Sequence, residues 1–77
     1  MVVDFNCLLD ATLDEPPVPI IRTKEILDSM SPGEILKLIA GKEGTVRNIR
    51  TFVANNQCEL LSEFKCDDGF VFMIKKL

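Results

Sequence analysis

The chain reads as a single domain, residues 1–77, with an α/β (α+β) two-layer sandwich fold. The predicted order is β-α-β-α-β-β, with a mixed four-stranded sheet and both helices on one face. Three observations lead there. Segments of alternating polarity stand at the start, middle and end of the chain. Two segments between them carry apolar residues at helical spacing. The last two alternating segments are joined by Asp67-Asp68-Gly69, a strong hairpin signal. So few strands pack most economically with one face covered by the helices.

From Val2 to Leu9 the alternation puts Val3, Phe5, Cys7 and Leu9 on one side of a strand, and Val2, Asp4, Asn6 and Leu8 on the other. After a turn at Asp10–Glu15, a helix is expected from Pro17 to Met30, with Ile20, Ile26, Leu27 and Met30 on its apolar side. Pro32 and Gly33 end it. Glu34–Gly41 gives a second short strand, and Gly41–Gly44 a loop into a second helix over Thr45–Asn55. There Val46, Ile49 and Val53 fall at i, i+3 and i+7, one buried stripe. Cys58–Cys66 and Phe70–Leu77 form the terminal hairpin. Turning each strand's better apolar side to the helices sends Val2, Leu8, Ile35, Ile39, Leu61, Val71 and Met73 to the open side of the sheet. An apolar patch of that size suits self-association or a partner.

Composition narrows the chemistry. A chain this short buries only about 60% of the surface its unfolded form exposes, although 47% of its residues are hydrophobic. The net charge of −3 argues against nucleic-acid binding, which needs a basic face. No apolar run approaches the roughly 20 residues needed to cross a bilayer, and the N-terminus lacks the basic start of a secretory signal, so a cytoplasmic protein is expected. There is no His, which excludes Cys-His and Ser-His nucleophile pairs within the chain. Cys7, Cys58 and Cys66 have no metal-knuckle spacing. Neither a metal nor a cofactor is expected.

The prolines are concentrated in "DEPPVPIIRTKEIL", Asp14 to Leu27. A helix start tolerates them because its first N–H groups have no internal partner. With Pro16 as cap, Pro17 and Pro19 take the first and third helical positions and remove two donors. The product is a stiff, apolar rim and a poor anion cradle. Ile21 lies opposite the helix's apolar stripe and is expected to be exposed beside that rim. Arg22, Lys24, Arg47 and Arg50 are expected on solvent-facing helix positions on the same side, able to steer an acidic partner.

The wording of the chain, "LLDATLDEPPVPIIRTKEIL", "SPGEILKLIA", "GTVRNIRTFV", "CELL" and "DDGFVFMIKK", resembles the TusA/SirA family of small sulfur carriers over nearly its whole length. That resemblance implies the same β-α-β-α-β-β sandwich. It implies a Cys-Pro-x-Pro signature at the first helix, a fixed distance after a Leu-Asp pair, here Leu9 and Asp10. The signature falls on Pro16, Pro17, Val18 and Pro19, so Pro16 stands where the family carries its persulfide-forming cysteine. The resemblance therefore implies protein partners of a sulfur relay, met through Pro16, Pro17, Val18, Pro19, Ile21 and Arg22. It also implies a chain that has lost the sulfur-carrying group and acts as a partner-binding or regulatory module. The alternative is an active sulfurtransferase with a relocated nucleophile, Cys58 or Cys66. A third reading is a structural subunit that associates through the open sheet face. Cys58, opening the third strand, is the least buried thiol by pattern and ranks first in expected reactivity. Cys66 follows, on one face with Leu60 and Phe64 but beside Asp67 and Asp68. Cys7, on the inward face, ranks last.

Overall fold

The computed structural model describes residues 5–77. Its elements are β1 (Cys7–Ala11), α1 (Val18–Ser29), β2 (Ile35–Ala40), α2 (Glu43–Asn55), β3 (Cys58–Cys66) and β4 (Gly69–Lys76). The expected β-α-β-α-β-β order is observed. The sheet order is β1-β2-β4-β3, with β1 parallel to β2 and the other pairs antiparallel. Both helices lie against one face and touch each other.

The core is the layer between sheet and helices. Leu36, Leu38 and Ala40 from β2 and Phe72 and Ile74 from β4 are fully buried there, with Leu9 and Ala11 from β1. Side chains alternate along a strand, so residues 36, 38 and 40 necessarily share that face. Full burial of each large apolar side chain contributes about 1.5–3 kcal/mol. From α2, Ile49 reaches the same layer, flanked by half-buried Val46, Phe52 and Val53.

Four features differ from the sequence expectations. First, β1 begins at Cys7 and runs two residues past Leu9, because its parallel register with β2 extends from Cys7↔Leu36 to Ala11↔Ala40. Val2, Val3 and Asp4 lie outside the described residues. Phe5 does not join Cys7 on the core side. It is exposed, with the Lys37 ammonium 5.4 Å from its ring centre.

Second, the stripe that α1 buries is Pro19, Thr23, Leu27 and Met30, while Ile20 and Ile26 are only half-buried at its flanks. Thr23 can sit in the core because its hydroxyl donates to the Pro19 carbonyl at 2.7 Å. A polar residue satisfied by its own helix is invisible to a count of apolar positions.

Third, β3 does not alternate throughout. The register passes from Leu60↔Ile74 to Ser62↔Met73, leaving Leu61 as the extra residue of a bulge. Leu60 faces the helices, but beyond the bulge the faces exchange. Glu63, opposite Phe72, points to the helix side, and Phe64, opposite Val71, lies 51% exposed on the open side. Cys66 shares that side with Phe64, not with Leu60.

Fourth, Val71 and Met73 point to the open side as expected but are buried. β4 is flanked by β2 and β3, and cross-strand neighbours such as Ile39, Lys37 and Phe64 cover them. Leu8 and Leu61 remain exposed on that face.

The β3–β4 hairpin packs its turn against the end of β2. Gly69 has φ +149°, and a Cβ there would lie 2.2 Å from the Ala40 carbonyl oxygen. Both conditions demand glycine. Gly69→Ala is therefore expected to cost about 2 kcal/mol or more. In a domain of this size that lowers Tm by roughly 10 °C. A thermal melt within 2 °C of the wild type would refute the close approach.

Candidate functional site at the start of the first helix

The segment joining β1 to α1 is held from both sides. Leu9 anchors the end of β1 in the core. Next to it, the Asp10 carboxylate accepts bonds from the Thr12 amide (3.1 Å) and hydroxyl (2.7 Å), closing the turn. Those two bonds hold the Asp10 carboxyl below the usual carboxylate range. The Asp14 amide donates to the Ala11 carbonyl at 3.1 Å. Arg22 of α1 pairs with Asp14 at 2.5 Å, and Lys42, preceding α2, pairs with Glu15 at 3.3 Å. Exposed pairs of this kind contribute little energy singly, but these two bracket the prolines from different elements.

The helix cap is Pro17, with φ −97° and ψ 15°, and the Pro16–Pro17 peptide is cis. Pro19 is thus the second helical residue. Of the two donors expected to be missing from the helix, only that of Pro19 is lost. The remaining N–H groups of the first turn are already engaged. Val18 donates to the Glu15 carbonyl at 2.9 Å, and Ile20 and Ile21 donate to the Pro17 carbonyl at 3.0 and 3.2 Å. A poor anion cradle results, as anticipated, but through internal bonding more than through proline content.

Pro16, Pro17, Val18 and Ile21 are exposed, and Pro19 is buried under the helix. Ile21 is 54% exposed and Val18 42%, so an apolar rim stands at this end of the molecule as expected. Pro16 borders a shallow shelf with the first turn of α2, where Arg47 and Arg50 also lie. Arg50 makes a bidentate pair with Glu63 of β3. That contact holds the Glu63 carboxyl below its usual range and raises the Arg50 guanidinium. Lys24 is not part of this surface. It pairs with Asp28 at 2.9 Å and borders a cleft at the far end of α1.

That distant cleft contains Cys58, which reverses the expected order of the thiols. Cys58 is 7% exposed, whereas Cys7 and Cys66 are half-buried. Burial pushes the Cys58 thiol up, partly offset by the Lys76 ammonium. Opening a strand does not expose a residue when the preceding turn and the end of the neighbouring strand close over it: the Cys58 amide bonds the Asn56 carbonyl, and Cys58 pairs with Lys76. Lys76 and Phe70, which borders the Pro16 shelf, are six residues apart on β4, so Cys58 lies about 20 Å from the proline end of the sheet. Cys66 is at the proline end, opposite Gly69, but on the open side of the sheet. No cysteine borders the Pro16 shelf.

A family model described as Sulfurtransferase TusA matches residues 8–76. The chain belongs to the TusA family. The sulfur carrier protein TusA of Allochromatium vinosum is 36% identical over 75 residues, covering 97% of this chain and 99% of the relative. A protein of Methanocaldococcus jannaschii provisionally named a sulfur carrier is 32% identical over 68 residues, covering 88% of this chain and 91% of its own length. The sandwich inferred from the wording of the chain is thus the fold of a TusA-family domain, with its exposed prolines at the start of α1. Among the described residues no helix is long and apolar enough to cross a membrane.

The arrangement of the thiols sets their chemistry. In the native protein, alkylation by iodoacetamide followed by peptide mass spectrometry is expected to label Cys66 and Cys7 at least tenfold faster than Cys58. A raised thiol pKa means the folded state holds its proton more tightly than the unfolded chain. Cys58 therefore contributes stability that is complete below the ordinary thiol pKa of about 8.5 and is lost as pH rises above it. Cys58→Ser, which removes that titration, is expected to flatten the decline in Tm between pH 8 and 10. Fast labelling of Cys58 would show that the cleft opens in solution.

Proposed function

We propose that this TusA-family chain serves sulfur relay in the cytosol as a partner-binding or regulatory module and does not itself carry persulfide sulfur. The observation that carries this reading is Pro16 itself. At the exposed position before Pro17, Val18 and Pro19, where the family resemblance places the nucleophile, there is no thiol, and no cysteine borders the shelf beside it. The exposed rim of Pro16, Val18 and Ile21 supports a retained contact surface. The family's sulfur carriers work by handing sulfur between proteins, so such a surface is useful without the thiol. Cys66, half-buried at the same end of the sheet, supports the competing reading of a relocated nucleophile. Its side chain lies on the opposite sheet face from the helix start, which favours the non-carrier reading.

The test is transfer of sulfane sulfur. Mixed with a cysteine desulfurase and cysteine, the native chain is expected to gain no stable persulfide, seen as an absence of the corresponding mass increase. Pro16→Cys is expected to gain one at position 16. There the new thiol would stand just before the cap of α1 and beside a shelf where Arg47, which has no ion-pair partner among the described residues, favours thiolate. Relief of the proline constraint costs about 0.5–1 kcal/mol, which the fold is expected to tolerate. A persulfide on native Cys66 or Cys58 would replace this reading with that of a relocated carrier. No adduct on the variant would show that the surface no longer meets a desulfurase.

A further inference from the structure

Beside the proline shelf, a groove runs between α1 and α2. Pro17, Ile20 and Phe52 form its apolar floor, and Arg47, Asn48, Thr51, Asn55 and Asn56 its polar wall. Its charge pattern is unlike its surroundings. Around the two helix starts, Arg22 is paired with Asp14, Lys42 with Glu15 and Arg50 with Glu63. Arg47 has no carboxylate paired with it among the described residues, and it is the one charged residue that borders the groove. It also borders the shelf under Pro16, so the groove and the proline rim form one continuous surface.

The wall is graded along α2. At one end stands the donor-only Arg47 guanidinium, with the Asn48 amide and the Thr51 hydroxyl, which can donate or accept, beside it. At the other end, Asn55 and Asn56 donate to the Thr51 and Phe52 carbonyls at 3.0 and 2.8 Å, bonds that use their amide nitrogens and not their amide oxygens. From Arg47 to Asn55 the helix rises about 12 Å, the length of three to four residues of extended chain. An extended segment laid there could offer backbone N–H groups to the asparagine oxygens, an apolar side chain to Ile20 and Phe52, and a carboxylate to Arg47.

We infer that this groove binds an extended partner segment of about four residues that carries an Asp or Glu next to an apolar side chain. The assignment rests on the reading of the chain as a partner-binding module and names the chemistry by which the partner is recognised. A protein segment fits better than nucleic acid, because a groove with one cation on a chain of net charge −3 cannot follow a phosphate backbone.

The probes are capped hexapeptides of alternating leucine with aspartate, asparagine or lysine, and hexauridylate, titrated into 15N-labelled protein and followed by amide chemical shifts. The aspartate peptide is expected to shift Ile20, Arg47, Thr51 and Phe52 saturably, at least fivefold more tightly than the asparagine peptide. Arg47→Glu, an exposed change that leaves Tm unaltered, is expected to abolish that preference and to bind the lysine peptide instead. Equal binding of the aspartate and asparagine peptides would overturn the inference. So would shifts centred on Leu8, Ile39 and Phe64 of the open sheet face, stronger binding of hexauridylate, or no saturable shift with any peptide. None of these outcomes depends on whether a persulfide forms on the chain, so the docking inference and the non-carrier reading fail separately.

Discussion

The antiparallel pairing of β2 with β4 at the centre of the sheet is the contact on which the other elements depend. Of its helix-facing residues, Leu36, Leu38, Ala40, Phe72 and Ile74 are fully excluded from water, and only Phe70 at the end of the pairing is half-buried. Strands at a sheet centre have both edges bonded, so only their faces remain to be covered. The helices cover one face. On the other, Val71 and Met73 are buried beside neighbours on the same sheet, and no second layer is present among the described residues. The register of this pair also sets the ends. It brings Gly69 against the Ala40 carbonyl and so locates the hairpin turn beside the loop that precedes α2.

The proline segment takes its position from that frame. Parallel pairing of β1 with β2 ends at Ala11↔Ala40, and the chain must then climb from the sheet to the helix layer. Asp10 and Thr12 close the first turn, and the ion pairs of Asp14 and Glu15 hold the climb to α1 and to the approach to α2. The Leu9-Asp10 pair and the prolines are thus parts of one structural device: a buried anchor, a side-chain-closed turn and a stiff helix start. It leaves Pro16 exposed just before the helix cap. In this chain the presented surface is apolar, with a cationic groove beside it.

The thiols follow from the same geometry. Cys58 opens β3, two residues separating it from α2, and is buried in the cleft that Leu27, Phe52 and Lys76 also line. The bulge at Leu61 then turns Cys66 to the open side. Two cysteines of one strand consequently have different environments, and neither faces the proline rim.

Alternation, helical periodicity and the Asp67-Asp68-Gly69 turn were enough to determine the element order, the two-layer class and the exposure of Ile21, because each is a local pattern with a fixed period. The family was legible for the same reason, through short strings of residue types at set spacings. Non-local effects lay beyond such patterns. The single-residue bulge at Leu61 exchanges the faces of Glu63, Phe64 and Cys66, since the side-chain period of a strand is two. Thr23 is buried because its hydroxyl finds a carbonyl one turn away, and Val71 because its strand took a central place in the sheet. Cys58 is covered by residues far from it in the chain, Leu27 of α1, 31 positions earlier, and Lys76 of β4, 18 positions later, among them. Which cations remain unpaired was decided last of all: Arg47 and Arg50 are alike in sequence, and only the folding of β3 onto α2 gives Glu63 to one and leaves the other free.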